Sequence, residues 1–186
     1  MAPTVTRPTR IDGTRPRVGH AVRSAVMDAH DHASPDPTLS REQHLAALER
    51  DALATIELCE RTGLGTPVPM CGDWTMADLV WHVGGVYSFF GQVVAGRRTS
   101  IEGISRGQRP PDDEVAAWSR SRLADVIEAI RSTPDDVPVW TFGPDQTVNF
   151  VHRRMAIETA VHRWDAEHAA GAPMPIDGAL ASDGLD

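Results

Sequence analysis

Apolar residues recur along the central part of this chain at steps of three and four, the spacing of one face of an α-helix. A first stripe runs through Leu45, Leu48, Ala52, Ile56 and Cys59. Ser40 with Gln43 opens it as a capping box, and Gly63 and Gly65 stop it. A second stripe, Leu79, His82, Val86, Phe89 and Val93, follows the capping pair Thr75 and Asp78 and ends near Gly96. Pro110 and Pro111, followed by Asp112, Asp113 and Glu114, predict a third helix whose acidic first turn suits the helix dipole. Its apolar face is Leu123, Val126, Ile127 and Ile130. A fourth helix is expected over about Asn149–Ala170, closed by Gly171 and Pro173. A long loop (Pro67 to Trp74) and an extended crossover (Pro138–Phe150) join these elements. Four amphipathic helices with those connections predict an all-α four-helix bundle.

The seam is interrupted where chemistry enters. In the fourth helix the inward positions read Val151, Met155, Glu158, His162, then Asp165 or Ala166, then Ala169. In the second, His82 stands on the inner stripe. Removing the partner of a buried charge costs about 3–5 kcal/mol, so groups in such positions need partners. A divalent ion held by His82, Glu158 and His162 would satisfy all three together. Each also has an ordinary reading. Arg154 lies four residues before Glu158 and could pair with it along the helix, and a lone His82 fits a satisfied core histidine. Asp165 could orient His162 from behind, or serve as a surface partner of Arg163 or Arg154. Cys71 reads as a buried thiol, Asp78 as a cap, and Trp81, Trp118 and Trp164 as core or pocket wall. Arg153, Arg154 and Arg163 would suit an anionic ligand or a solvated face.

Composition narrows the function classes. The chain has 186 residues and a net charge of −8, which speaks against binding nucleic-acid backbones. Two cysteines, Cys59 and Cys71, are too few for a disulfide framework, and no apolar run is long enough to span a membrane. With no recognisable secretion signal, a cytoplasmic protein is expected. Residues 1–38, rich in proline and without sustained periodicity, are expected to form a disordered extension, apart from a short helical pattern over Val18–His30. His30 and His32 there read as part of a solvated tail. The bundle is expected over 39–172, with 173–186 as a C-terminal tail.

The stretches Gly72–Gly85 and Arg153–Glu167 resemble the DinB-like bundles of the mycothiol-dependent maleylpyruvate isomerase family. The resemblance covers about residues 40–186 and is most specific in the second stretch. It implies a four-helix bundle carrying a zinc-type ion on His82, Glu158 and His162, and mycothiol as a cofactor. Isomerases of the family look like two-domain proteins, whereas this chain is expected to lack the second domain. The resemblance therefore implies a metal-dependent enzyme using a small-molecule thiol for transfer to, or isomerisation of, a small electrophilic or unsaturated acid. The rival expectation, favoured by the absent second domain, is a non-catalytic metal-binding bundle with a regulatory or partner-binding role.

Overall fold

The structure, a computed structural model, describes residues 39–184. The helical pattern over Val18–His30, the His30/His32 pair and the expected disordered extension lie outside the described residues. The main helices are α1 (Arg41–Thr62), α2 (Met76–Ala95), α3 (Val115–Arg131) and α4 (Val148–Ala169), with a short α5 (Gly178–Asp183) after them. They pack as a bundle, and no strand forms among the described residues. No described helix is long and apolar enough to cross a membrane.

The expected caps form. Ser40 and Gln43 bond reciprocally at the start of α1, and Thr75 and Asp78 do so at the start of α2, each pair satisfying amide groups that have no helical partner. α1 ends at Gly63, whose φ of 102° suits a residue without a Cβ. The third start differs from expectation. α3 begins at Val115 with no side-chain cap, while Pro110–Glu114 form a turn in which the Glu114 amide donates to the Pro111 carbonyl. Asp112 is drawn instead to the Arg109 guanidinium, at 2.8 Å. The crossover is partly closed on itself, since Pro138 and Thr147 form an isolated antiparallel bridge and the Val139 amide donates to the Gln146 carbonyl.

The helices pair unequally. α2 packs chiefly along α3, and α1 along α4, whereas α2 and α4 meet over a smaller area. Gly84 is one reason for the first pairing. A Cβ there would lie 2.5 Å from the Trp118 ring, so only glycine lets the two helices approach this closely. Leu45, Leu48, Val83, Val86, Tyr87, Val126, Ile130, Val151 and Met155 fill the main core. Each fully buried aliphatic side chain contributes about 1.5–3 kcal/mol. The buried Tyr87 hydroxyl lies 2.9 Å from Thr159 Oγ1, which fixes α2 against α4 below the polar seam positions. Side chains of α2 and α4 also line a cleft. The segment after Pro173, expected only as a tail, folds back over α1 and α4 and buries Leu180 and Asp183.

Candidate metal centre

His82 sits in the second turn of α2, and Glu158 and His162 lie one turn apart on the same face of α4. The structure brings these three seam residues together. Glu158 Oε1 lies 3.5 Å from His82 Nε2 and 3.3 Å from His162 Nε2. One donor atom from each lies within 4.8 Å of the others. Ligands about 2.0–2.2 Å from a tetrahedral ion stand roughly 3.3–3.6 Å apart along its edges, so both measured separations fit that donor set. The side chains are not sealed in the core as the seam pattern suggests. They remain 13–20% exposed. Trp74, just before the cap of α2, covers His82 with ring centroids 4.8 Å apart.

The surrounding charges orient the donors, and in metal-free protein they favour a protonated His162, which must lose its Nε2 proton to bind an ion. Asp165 Oδ2 is 2.9 Å from His162 Nδ1, so that nitrogen donates to the carboxylate and Nε2 faces Glu158. Of the two readings open for Asp165, the structure therefore places it behind His162. Hydrogen bonds from His162 and His82 hold the Glu158 carboxyl well below the usual carboxylate range, against the opposing effect of burial, and Arg154 adds to the shift. Burial disfavours the charged form of His162, yet Glu158 and Asp165 together outweigh it and raise the pKa. The expected Arg154–Glu158 pair is present and caps the outer carboxylate oxygen, Oε2. Oε1 remains turned toward the histidines.

Cys71, His162 and Asp165 form a second convergent group. It is the poorer candidate. Burial and the nearby Asp165, 3.6 Å from the sulfur, push the Cys71 thiol up to about 11, so it keeps its proton at neutral pH. Asp78 acts as a cap and pairs with Arg109, remote in role from His82. Arg153 and Arg163 bind Asp183 and the Asp51/Glu167 pair respectively, and neither lines the cleft.

The cleft beside the donors is a cavity of about 260 Å³. His82, Val86, Phe89 and Phe90 of α2 line one side, and Arg154, Met155 and Glu158 of α4 the other. Trp140 and Phe142 of the crossover and Arg106 of the α2–α3 connection complete it. The sequence reading did not single out Trp74, Phe90, Arg106, Trp140 or Phe142. Aromatic clustering at Trp140, Phe142 and Phe150, with Phe89 and Phe90 one face away, was the available signal.

A helical bundle that brings two imidazoles and a carboxylate together beside a cavity defines a class of candidate metal-binding bundles. The model of the mycothiol maleylpyruvate isomerase N-terminal domain matches residues 45–167, and the chain belongs to that family. No curated protein and no solved structure matches the chain significantly.

Proposed function

We propose that this protein is a metal-dependent enzyme that uses a low-molecular-weight thiol, mycothiol by its family, on a small electrophilic or unsaturated acid. His82, Glu158 and His162 would be the metal ligands. The observation that carries the reading is the open cavity lined by two of those donors, His82 and Glu158, with His162 Nε2 3.3 Å from Glu158 behind them. A metal-binding module without chemistry needs no such opening, and plugging side chains would have argued for one. An ion on three protein donors keeps a position for an outside ligand, and its charge favours the thiolate form of a thiol placed there.

The remaining work falls to the chain. Asp165 fixes His162 so that Nε2 is the nitrogen presented. Glu158 is held ionised, and Arg154 balances its second oxygen. Trp74 and the aromatic wall limit water at the reacting centre, which strengthens charge interactions there. In isomerisation the thiol sulfur adds to one alkene carbon, the former double bond rotates as a single bond, and the sulfur leaves again. In transfer the new carbon–sulfur bond persists and the electrophile's leaving group departs instead.

The test is cobalt substitution. Cobalt-loaded protein should develop a sulfur-to-metal charge-transfer band on addition of mycothiol, and His162→Ala should lack it. A loaded protein with no spectral response to mycothiol or simpler thiols, and no turnover across a panel of electrophilic acids, would transfer the assignment to a non-catalytic binding module.

A further inference from the structure

The cavity that the proposed function uses has a composition that selects among acids. Four of the ten side chains that line it are aromatic: Phe89 and Phe90 from α2, Trp140 and Phe142 from the crossover. They meet edge to face, with centroids 5.5 Å apart for Phe89–Trp140 and 6.2 Å apart for Phe90–Phe142. The crossover is held in that position, because the Trp140 amide donates to the Arg98 carbonyl at 2.6 Å and the Thr141 hydroxyl donates to the Asp145 carbonyl at 2.7 Å. The wall is thus a built surface rather than a loose loop.

Two arginines reach the cavity, but they are not equivalent. Arg154 is bonded to Glu158 and stacked over the Phe142 ring at 5.3 Å. Arg106 makes no ion pair among the described residues; its stem lies along α2 at Gly85, where a Cβ would stand 3.4 Å from Arg106 Cδ. One unengaged guanidinium recognises one carboxylate, preferably through two parallel hydrogen bonds. Among the side chains that line the cavity, a second carboxylate on the substrate would find only Arg154, whose charge is already met by Glu158.

We infer that the substrate of this cavity is an aromatic monocarboxylate of one or two fused rings that also carries the electrophilic or unsaturated group, its ring against the four aromatic side chains and its carboxylate on Arg106. The volume agrees, since it lies below the roughly 300–1,000 Å³ of sites for drug-sized ligands. This deepens the proposed function and rests on its choice of cavity, but ring and carboxylate recognition do not require the ion.

Calorimetric titration of the full chain, metal-free and zinc-loaded, tests it with 2-naphthoate, the neutral 2-naphthalenemethanol and maleate as probes. Naphthoate should bind both forms, and more tightly than maleate. Arg106→Gln should weaken naphthoate about 10–100-fold, the effect of one charge-assisted contact, and leave the alcohol unchanged. Phe142→Ala, at a side chain 60% exposed and so harmless to the fold, should weaken acid and alcohol alike. Amide shifts on titration should centre on residues 82–90 and 140–142. Naphthoate affinity unaltered by Arg106→Gln, or maleate bound more tightly than naphthoate, overturns the assignment. Naphthoate binding with Arg106 dependence in a protein that takes no zinc supports the assignment while overturning the metal-enzyme reading. Zinc binding without any naphthoate binding does the reverse.

Discussion

Two places in this bundle hold a pair of histidines and a carboxylate, and they have opposite characters. At the cleft, His82, His162 and Glu158 stay partly exposed and aim three donor atoms at a common point beside a cavity. At the other place, under α5, His44, His152 and Asp183 are only 1–3% exposed. There the groups bond chiefly to one another, while His152 Nε2 lies 3.4 Å from Asp135 Oδ1 without a hydrogen bond. His44 Nε2 lies 2.9 Å from Asp183 Oδ2, and His44 Nδ1 lies 3.2 Å from His152 Nδ1. Asp183 also accepts from the Leu39 amide at 3.1 Å and from Arg153 Nε at 3.0 Å. The buried cluster already contains its cation, Arg153, and its work is to fasten the C-terminal segment to α1 and α4. The cleft cluster gathers His82 Nε2, His162 Nε2 and Glu158 Oε1 around one point, partly exposed and beside a cavity. The same residue types thus make a clasp or a candidate site according to whether they are sealed in the core or left beside a cavity.

Stability should separate the two most sharply. Asp183→Ala strands Arg153, His44 and the Leu39 amide together, and should cost about 3–5 kcal/mol, read from urea denaturation. His162→Ala in metal-free protein removes a partly exposed group and should cost less than about 1.5 kcal/mol. The reverse ranking would make the cleft cluster the structural one.

The pH dependence should carry opposite signs at the two places. Burial is the main cause that lowers His152 to about 4, against about 6.5 in an unfolded chain. Between those values the unfolded chain binds a proton that the folded one refuses. This contribution is therefore complete above pH 6.5 and is lost as the pH falls toward 4, to a total of about 3 kcal/mol. The lowered Asp183 carboxyl acts in the same direction, but below its ordinary range near pH 4. His162 is raised, so in metal-free protein its contribution is complete below about pH 6.5 and is lost as pH rises through its folded value. Urea midpoints from pH 7.5 to 4.5 should fall in the native chain. In His152→Gln the fall should flatten or invert, exposing the His162 term. A slope untouched by His152→Gln would remove the clasp from the account.

The contrast also explains what could be read from the sequence. The four helices were legible because periodicity and capping pairs are local, as Ser40/Gln43 and Thr75/Asp78 show. The cleft trio was legible because each member breaks an apolar stripe on its own helix, and Glu158 and His162 do so one turn apart. The clasp was not, because Asp183 stands 139 residues from His44 in sequence and outside every periodic segment. Nor was the aromatic wall, since Trp140 and Phe142 lie in a crossover whose path depends on tertiary bonds such as that to Arg98. The start of α3 failed for a local reason, as Arg109 captures the Asp112 carboxylate that the pattern assigned to the helix dipole.

The smallest effect is the finest test of the candidate centre. Asp165→Asn keeps the size of the group behind His162 but removes its charge. It also leaves the amide free to turn its nitrogen toward Nδ1, which would favour the tautomer that puts the proton on Nε2. Zinc affinity should drop about 10–100-fold, as for loss of an outer partner of a ligating histidine, measured by competition with a chromophoric chelator. Two controls locate the effect. Cys71→Ala should leave the affinity unchanged, because a thiol raised to about 11 contributes little as a ligand at neutral pH. His82→Ala should weaken zinc more than Asp165→Asn does, because it removes a donor rather than its support. If Cys71→Ala were the more damaging of these two controls, the ion would belong on Cys71, His162 and Asp165 instead, and Asp165 would be a ligand rather than the group that orients one.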